Sequence, residues 1–505
     1  MRMPTVDTLA DLVLTGGRIW TGDAARSWAQ AIAVRDDRVV AVGPASTIER
    51  LVGRATRRIE LRGRMVVPGF GDAHVHPIGS ALVTMRCNLL EGRGKDAYLA
   101  IVARYMAEHP DREWVEGEGW YMPDFPGGTP RREDLDRVTQ GRPALLYNRD
   151  GHGAWVNTAA LARAGISADT ADPPDGRIER DPDGSPSGTL HEGAASIVAR
   201  LIPDPTPDEL VHGLLWAQAH LHSLGITNWQ DAHVEPEDAA AYRTVAERGR
   251  LTARVVGASW WWREGGLDQV ADLVRRREAE AVGSFAPTSV KIMQDGVFEN
   301  FTCAMLDPYL DANGRPTTNR GISYVEPGLL NEAVTALDAA GLQVHFHAIG
   351  DRAVREALDA IEAARIANGP SDGRHHIAHI QLIHPDDVPR FRELDTVANV
   401  QALWAVHENQ MDVLTIPFLG PERTTWQYPF RSLRRAGAVL AMGSDWSVST
   451  ADPLQQIEVA VNRVFPDDRD ATPFLPDERL DLPDALAAFT AGSAYVSHID
   501  DAGVL

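Results

Sequence analysis

Cysteine is nearly absent: Cys87 and Cys303 are the only two in 505 residues. Two cysteines without C-x-x-C spacing exclude a disulfide framework and a paired redox motif. Long hydrophobic runs are missing as well. No apolar stretch approaches the roughly 20 residues that span a bilayer, so no membrane partner is expected. The first residues, MRMPTVDTLADLVLTGG, lack a basic segment leading into an apolar core. They do not read as a secretory signal, and a cytoplasmic location is expected. Positive charge is in short supply, with 49 Lys and Arg against 71 Asp and Glu and a formal net charge of −22. That balance argues against nucleic acid or an anionic membrane as the main partner. It does not reveal the sign of a site that holds cations. Low-complexity tracts are absent, and no repeat shows beyond alternating β and α units.

What is present is the composition of a soluble globular protein, 44% hydrophobic and 24% charged. The length suits a large barrel plus a smaller domain. The first sixty or so residues alternate short β-rich runs with turns, as in DLVLTGGRIWTG, AIAVRDDRVVAVG and RIELRGRMVVPG. Val, Ile and Thr at period two, broken by Gly and Asp, predict antiparallel strands and hairpins. After Pro68 strand-like runs alternate with helix-like ones, which predicts a parallel α/β architecture.

Eight candidate barrel strands follow: VVPGFGDAHVH (66–76), GITNWQDAHV (225–234), TARVVGASWWW (252–262), SVKIMQDGV (289–297), LQVHFHAIG (342–350), HHIAHIQ (375–381), TVANVQALW (396–404) and AVLAMGSDWSV (438–448). Amphipathic stretches such as PGLLNEAVTALDAAG lie between several of them. The gap after the first strand is too long for one crossover helix. It predicts an insertion over about 77–207, with its own strand-like piece RPALLYNRDGHGAWVN, shaping the mouth of the pocket. The domain reading is a β-rich unit at 1–65, the barrel at 66–490 and a C-terminal segment at 491–505.

The strongest chemical signal is PGFGDAHVHP. His74 and His76 are two apart, so on a strand both rings share a face. Neutral imidazoles are favoured ligands for zinc and similar ions. Further candidates end later strands: Lys291 in SVKIMQDG, His347 in VHFHAIGD, His379 in IAHIQ and Asp445 in MGSDW. A lysine in an apolar strand is costly as a free ammonium. It is either carboxylated, its carbamate bridging two cations, or paired with an acid such as Asp295. His345 shares a face with His347, which is preferred because it lies nearer the strand end, where barrel chemistry sits. His375 and His376 read as edge or surface residues. Asp445 could instead cap the next helix, for which Asp452 is the better candidate.

Taken together, PGFGDAHVHP, DGHGAWVN, VKIMQDG, HAIGDRAVREALDAIE, HHIAHIQ and GSDWSVSTADPLQQI resemble the amidohydrolase superfamily over nearly the whole chain. The likeness is closest to its N-substituted formamide deformylase-like and YtcJ-like branch. The resemblance implies a (β/α)₈ TIM barrel with a small β-sandwich built from both chain ends. It implies one or two divalent metal ions per chain, zinc first among the candidates. His74 and His76 would bind one metal with Asp445 alongside. Lys291, as its carbamate, would bridge to a second metal held by His347 and His379. Two departures stand out. Ala378 replaces a Glu that many relatives carry before His379. The chain also stops at HIDDAGVL where relatives continue through a β-forming tail, so it reads as truncated or naturally short.

The reaction implied is hydrolysis of an amide-type C–N bond, perhaps of a formamide. A bound cation would lower the pKa of water and polarise the carbonyl. Asp445 would move the proton from water to the leaving nitrogen. An ester, lactone or phosphoester hydrolase, or a decarboxylase, could use the same metal chemistry. A non-enzymatic scaffold is disfavoured because all six ligand positions are filled. Asp150, His152 and Asn157 could reach the pocket from the insertion. Otherwise they form a tight turn and a helix cap. Trp229, Trp260, Trp261, Trp262, Trp404 and Trp446 fall at or near strand ends, with Trp120 as a lid surface from the insertion. They predict a small-molecule substrate with an apolar or aromatic portion, although each ring could instead pack against helices. Homo-oligomerisation is left open.

Overall fold

Runs such as Phe70–Val75 and Gln343–Ala348 are buried along their whole length, as strands covered on both faces must be. In the computed structural model, which describes residues 9–505, eight largely buried strands form one parallel sheet in chain order. They are Phe70–Val75, Ile226–Val234, Arg254–Trp260, Phe285–Met293, Gln343–Ala348, His376–His379, Val397–Val400 and Leu440–Met442. Each lies in or overlaps a segment expected from the sequence. The fourth starts earlier, at Phe285. Helices such as Pro236–Glu247, Pro327–Ala339 and Asp351–Asn368 cross between strands and bury their apolar faces in one continuous core. The fold is a (β/α)₈ TIM barrel.

The last strand meets the first through the backbone that follows it. The Asp445 N–H donates to the His74 carbonyl at 2.8 Å, and the His76 N–H donates to the Trp446 carbonyl at 3.2 Å. The Ser444 N–H donates to Asp72 Oδ1 at 2.9 Å. Only glycine fits at the preceding position: a Cβ on Gly443 would stand 2.5 Å from the His74 nitrogen. The glycine of GSDW thus brings the two ends of the sheet close enough to bond.

The insertion is larger in structure than its one visible strand suggested. Six strands form a mixed sheet, ordered Gly176–Arg180, Pro186–Glu192, Gly153–Val156, Ala144–Asn148, Val115–Trp120 and Cys87–Asn88. Apolar clusters cover both its faces, one around Tyr98, Trp120 and Trp155, the other around Trp114, Val156 and Leu190. Pro77–Met85, expected within the insertion, is a helix that joins the barrel core through Ile78, Ala81 and Leu82. Near the N-terminus, Leu12–Thr15, Ala31–Arg35, Arg38–Gly43 and Arg57–Glu60 form one sheet. Arg18–Trp20, Trp28–Ala29 and Met65–Val66 form another. Leu505 returns to them, packing near Ile19 and Leu61 and donating its N–H to Thr21. Among the described residues no helix is long and apolar enough to cross a membrane.

Asn157 is a structural keystone of the insertion. Its Oδ1 accepts from the N–H groups of Ala160 (2.9 Å) and Ala144 (3.0 Å), and its Nδ2 donates to Thr139 and to the Arg142 carbonyl. It caps the helix Thr158–Ala164, which accounts for it without a pocket role. Asn157→Ala loses a helix cap and leaves buried backbone groups unpaired, a destabilisation of about 2–4 kcal/mol. Thermal unfolding should show a lower transition with the metal content of the folded protein unchanged. An unshifted transition would contradict this role.

Candidate metal centre and active site

The site sits where the C-terminal ends of the barrel strands converge, the face on which TIM-barrel chemistry is built. Alternation along the first strand turns Asp72 and His74 inward together. Asp72 Oδ1 accepts from the His74 N–H at 3.2 Å as well as from Ser444, tying the first strand to the loop that carries Asp445. His74 Nε2 and His76 Nε2 lie 3.3 and 3.2 Å from the same oxygen, Asp445 Oδ1. That is close to the spacing of two ligands each about 2.1 Å from a shared ion.

His379 comes to the same place from the sixth strand. One ligating atom each from His74, His379 and Asp445 all fall within 4.8 Å of one another, and all three residues are buried. His379 and Asp445 adopt left-handed backbone, with φ of +77° and +53°. Side-chain-bearing residues hold such conformations only when their surroundings impose them, as at functional sites. Trp404 stacks on the His379 ring, with centroids 5.4 Å apart and planes 9° from parallel. Gln401 Oε1 accepts the His379 N–H at 2.8 Å. His347 follows from the fifth strand, its ring 4.4 Å from that of His379.

His345 and His347 play different parts. In register, Lys291 pairs with His345 and Met293 with His347, so His345 lies one step deeper on the same face. There its Nε2 meets His74 Nδ1 at 2.7 Å, the contact that orients a ligand ring from behind. His376, expected at an edge, is fully buried, 4.0 Å from the His345 ring and bonded to Asn399. His375 is buried too. It pairs with Asp338 at 3.0 Å and accepts the Val344 N–H. The double histidine opens a strand buried on both faces, so neither ring is free to reach solvent.

The electrostatics suit a cation. Burial holds His74, His347 and His379 well below the usual histidine range, leaving them neutral and able to ligate. Burial works against the charge of Asp445. His74, His76 and His379 outweigh it and hold the carboxyl well below its usual range. Among the described residues, His347 Nε2 and His379 Nδ1 are buried without a hydrogen-bond partner. Orphaned buried nitrogens are uncommon in native proteins, and a bound cation is one thing that resolves them. The donor set of imidazoles and a carboxylate therefore fits a zinc-type ion.

Lys291 is buried, and burial lowers its amine to about 7 against the opposing pull of Asp445 and Asp231. Among the described residues no carboxylate lies within ion-pair distance of it. The pairing with Asp295 is not formed. That carboxylate instead accepts the N–H groups of Ala304, Ile349 and Gly350, each at 2.9 Å.

The aromatic residues divide. Trp120 does not form a lid: it is fully buried in the core of the insertion, its indole N–H donating to the Leu146 carbonyl at 2.7 Å. Trp229 and Trp261 belong to the barrel core, and Trp446 stacks with Trp216 and His220. Trp404 beside His379 and the half-exposed Trp262 remain near the mouth. Trp262 lines a cavity of about 550 Å³ that reaches His76, with Ile78, Leu82 and Leu210 on its apolar side and Asp231, Glu235 and Asp238 on its acidic side. The cavity touches the centre at His76 only.

Asp150 and His152 lie on the insertion side. The His152 ring is 5.4 Å from that of His347, and its Nδ1 is 3.0 Å from Glu192. Burial disfavours a charge on His152, but Glu192 more than offsets it and raises the ring to about 9. Asp150 Oδ1 accepts the His152 N–H, and its Oδ2 meets Gln410 at 3.4 Å. Sequence reasoning missed Asp72, which period-two alternation from His74 would have found. It also missed Glu192, for which no motif or spacing gives a signal.

Residues 57–505 match the amidohydrolase family. The chain is 30% identical to Protein LONG AFTER FAR-RED 3 of Arabidopsis thaliana, over 98% of this chain and 85% of that protein. It is 25% identical to the N-substituted formamide deformylase of Arthrobacter pascens, over 97% and 90%. Among solved structures it is similar to an uncharacterized metal-dependent hydrolase from Pyrococcus furiosus, with a TM-score of 0.73 and 26% identity over 98% of this chain and 96% of that one.

The grouping of His74, His379 and Asp445 predicts bound divalent metal after purification without chelator, and His379→Ala should carry less. Elemental analysis of both proteins checks this. A metal-free preparation with full activity would contradict it.

Proposed function

The chain belongs to the amidohydrolase family, and from that premise we propose that it hydrolyses an amide-type C–N bond of a small N-formyl or N-acyl amine in the cytoplasm, using one or two divalent ions, zinc first. The observation that carries this reading is the meeting of His74 Nε2 and His76 Nε2 on one Asp445 oxygen. The similarity to an N-substituted formamide deformylase supports the choice of bond.

In this reading His74, His76 and Asp445 would hold one ion, and His347 and His379 would hold a second. A bound divalent cation acidifies water and polarises a carbonyl. Asp445 accepts a proton from the attacking water through its carboxylate and delivers it to the leaving nitrogen as the C–N bond breaks. Its depressed pKa keeps it ionised. Lys291, buried and, among the described residues, without a carboxylate in ion-pair distance, is read as carboxylated: its uncharged amine would add CO₂ and release a proton, giving an anionic oxygen donor for a bound cation. The apolar wall of Ile78, Leu82, Leu210 and Trp262 receives the apolar or aromatic portion of the substrate, and Trp404 flanks it from the His379 side. A volume of about 550 Å³ is of the size that small-molecule sites use.

Asp445→Asn should fold normally and lose about 10²–10⁴ in kcat. Steady-state kinetics on the metal-loaded variant checks this, and a wild-type kcat would move the proton transfer elsewhere. Lys291→Ala should lose metal and activity together, with partial recovery on adding short carboxylic acids. Retained metal and turnover would refute the carbamate. A panel of N-formyl, N-acyl, lactone and phosphotriester substrates tests the bond itself. N-formylbenzylamine should outrun a short-alkyl formamide, and Trp404→Ala should remove about tenfold of that advantage. Turnover confined to lactones or phosphotriesters would overturn the amide reading.

A further inference from the structure

The cavity beside the metal centre has walls of unlike chemistry, and the amide reading uses only the apolar one. The acidic wall draws carboxylates from three places. Asp204 precedes the helix Pro207–Ser223, Asp231 lies on the second barrel strand, and Glu235, Glu237 and Asp238 cluster at the start of the helix Pro236–Glu247. None of the residues that line the cavity is a lysine or an arginine. His233, on the same wall, is 3.2 Å from Glu235. Arg276, which acts on Glu235 from outside, is held by Glu280 at 2.8 Å. Among the described residues Asp204, Asp231, Glu237 and Asp238 have no ion-pair partner. Asp231 is buried, and its oxygens accept from Tyr242 at 2.8 Å and from the His233 N–H at 3.2 Å, neither of which brings a compensating charge. Burial and the neighbouring Asp238 push its carboxyl well above the usual range.

Acids at the start of a helix complement its positive end, so those carboxylates alone would not make a site. The aromatic residues supply a separate observation. Trp262 lines the same cavity and is 49% exposed. Its ring is braced from behind. Trp260 meets it edge-on with centroids 6.4 Å apart, and His233 stacks on Trp260 at 4.1 Å with planes 17° from parallel. Gln269 fixes the backbone, accepting the Trp262 N–H at 3.0 Å and donating to its carbonyl at 2.8 Å. A braced indole left exposed inside a concavity offers its surface to a ligand. Indole faces and carboxylates share one preference, for an organic cation. The apolar wall opposite suits the stem that carries it.

We propose that the cavity selects an organic ammonium on an apolar or aromatic stem, so that the substrate is an N-formyl or N-acyl amine with a second, cationic nitrogen. Trp262, Asp204 and Glu237 determine this specificity. The same walls turn away substrates that carry a carboxylate, such as N-acyl amino acids. No lining lysine or arginine meets that charge, and the acidic wall repels it. The bond that breaks rests on the amide reading of the centre, whereas the charge of the substrate rests on the cavity alone.

The test uses the full-length, metal-loaded protein and three benzyl probes that differ in charge: benzyltrimethylammonium, benzyl alcohol and benzylsulfonate. The quaternary ammonium has no lone pair and cannot ligate a metal, so its affinity reports the cavity rather than the centre. Calorimetry should find it bound about tenfold more tightly than the sulfonate, with the margin shrinking as salt is raised. Trp262→Ala should weaken it about threefold. Asp204→Asn combined with Glu237→Gln, which keeps the apolar wall, should weaken it about fivefold while benzyl alcohol changes far less. In kinetics the para-aminomethyl derivative of N-formylbenzylamine should exceed the parent in kcat/KM, and the para-carboxy derivative should fall below both. If no amide is turned over but the cationic probe is still preferred, the amide reading fails and the charge assignment stands. Benzylsulfonate bound as tightly as benzyltrimethylammonium, or a cation preference that both variants leave intact, would overturn the proposal. If a variant fails to fold, the wild-type ranking of the three probes decides it.

Discussion

The closest approach in the barrel, that of the last strand to the first, sets the position of the metal centre. Gly443 has no Cβ because His74 occupies that space, and the next two residues bond directly to the first strand. Closing the barrel and bringing Asp445 to His74 and His76 are therefore one event. The left-handed backbone at Asp445 belongs to the same geometry: the chain turns there so that its N–H reaches the His74 carbonyl while its carboxylate faces both imidazoles. A closed parallel barrel leaves no sheet edge exposed. The bonds of this seam serve that end and also present a ligand set.

Around the seam the interior is unusually rich in histidine for a barrel core. Burial keeps the rings neutral, and neutral rings are both the cheapest to bury and the form that ligates. The deeper rings, His345 and His376, then act through contact. His345 holds His74 from behind, and His376 is held by Asn399, which also donates to the Ala73 carbonyl. The insertion adds what the barrel lacks. It supplies Asp150, His152 and Glu192, and the segment after the fourth strand bonds to the last two.

The barrel was legible because its strands are short apolar runs separated by amphipathic helices, a pattern that period and punctuation expose directly. The candidate ligands stood out for a related reason: His74, His76, Lys291, His347, His379 and Asp445 are polar side chains at the ends of apolar strands, and of these His74, His379 and Asp445 come together as a group that could hold a metal. The insertion was not legible. Strands such as VEGEGW carry small and charged residues, and both faces of its sheet are covered by apolar clusters of their own, apart from the barrel core. Trp120 at its end looked like a pocket residue because nothing in the sequence tells that its ring turns into this second core. Glu192 was invisible for a different reason. It acts through a partner 40 residues away, joined by a sheet pairing that no local pattern encodes.

The most direct measurement is anomalous diffraction from crystals grown with zinc. The account predicts a peak within coordination distance of His74 Nε2, His76 Nε2 and Asp445, at the seam of the barrel. A fully loaded, active protein whose peaks lie away from those three residues would contradict it.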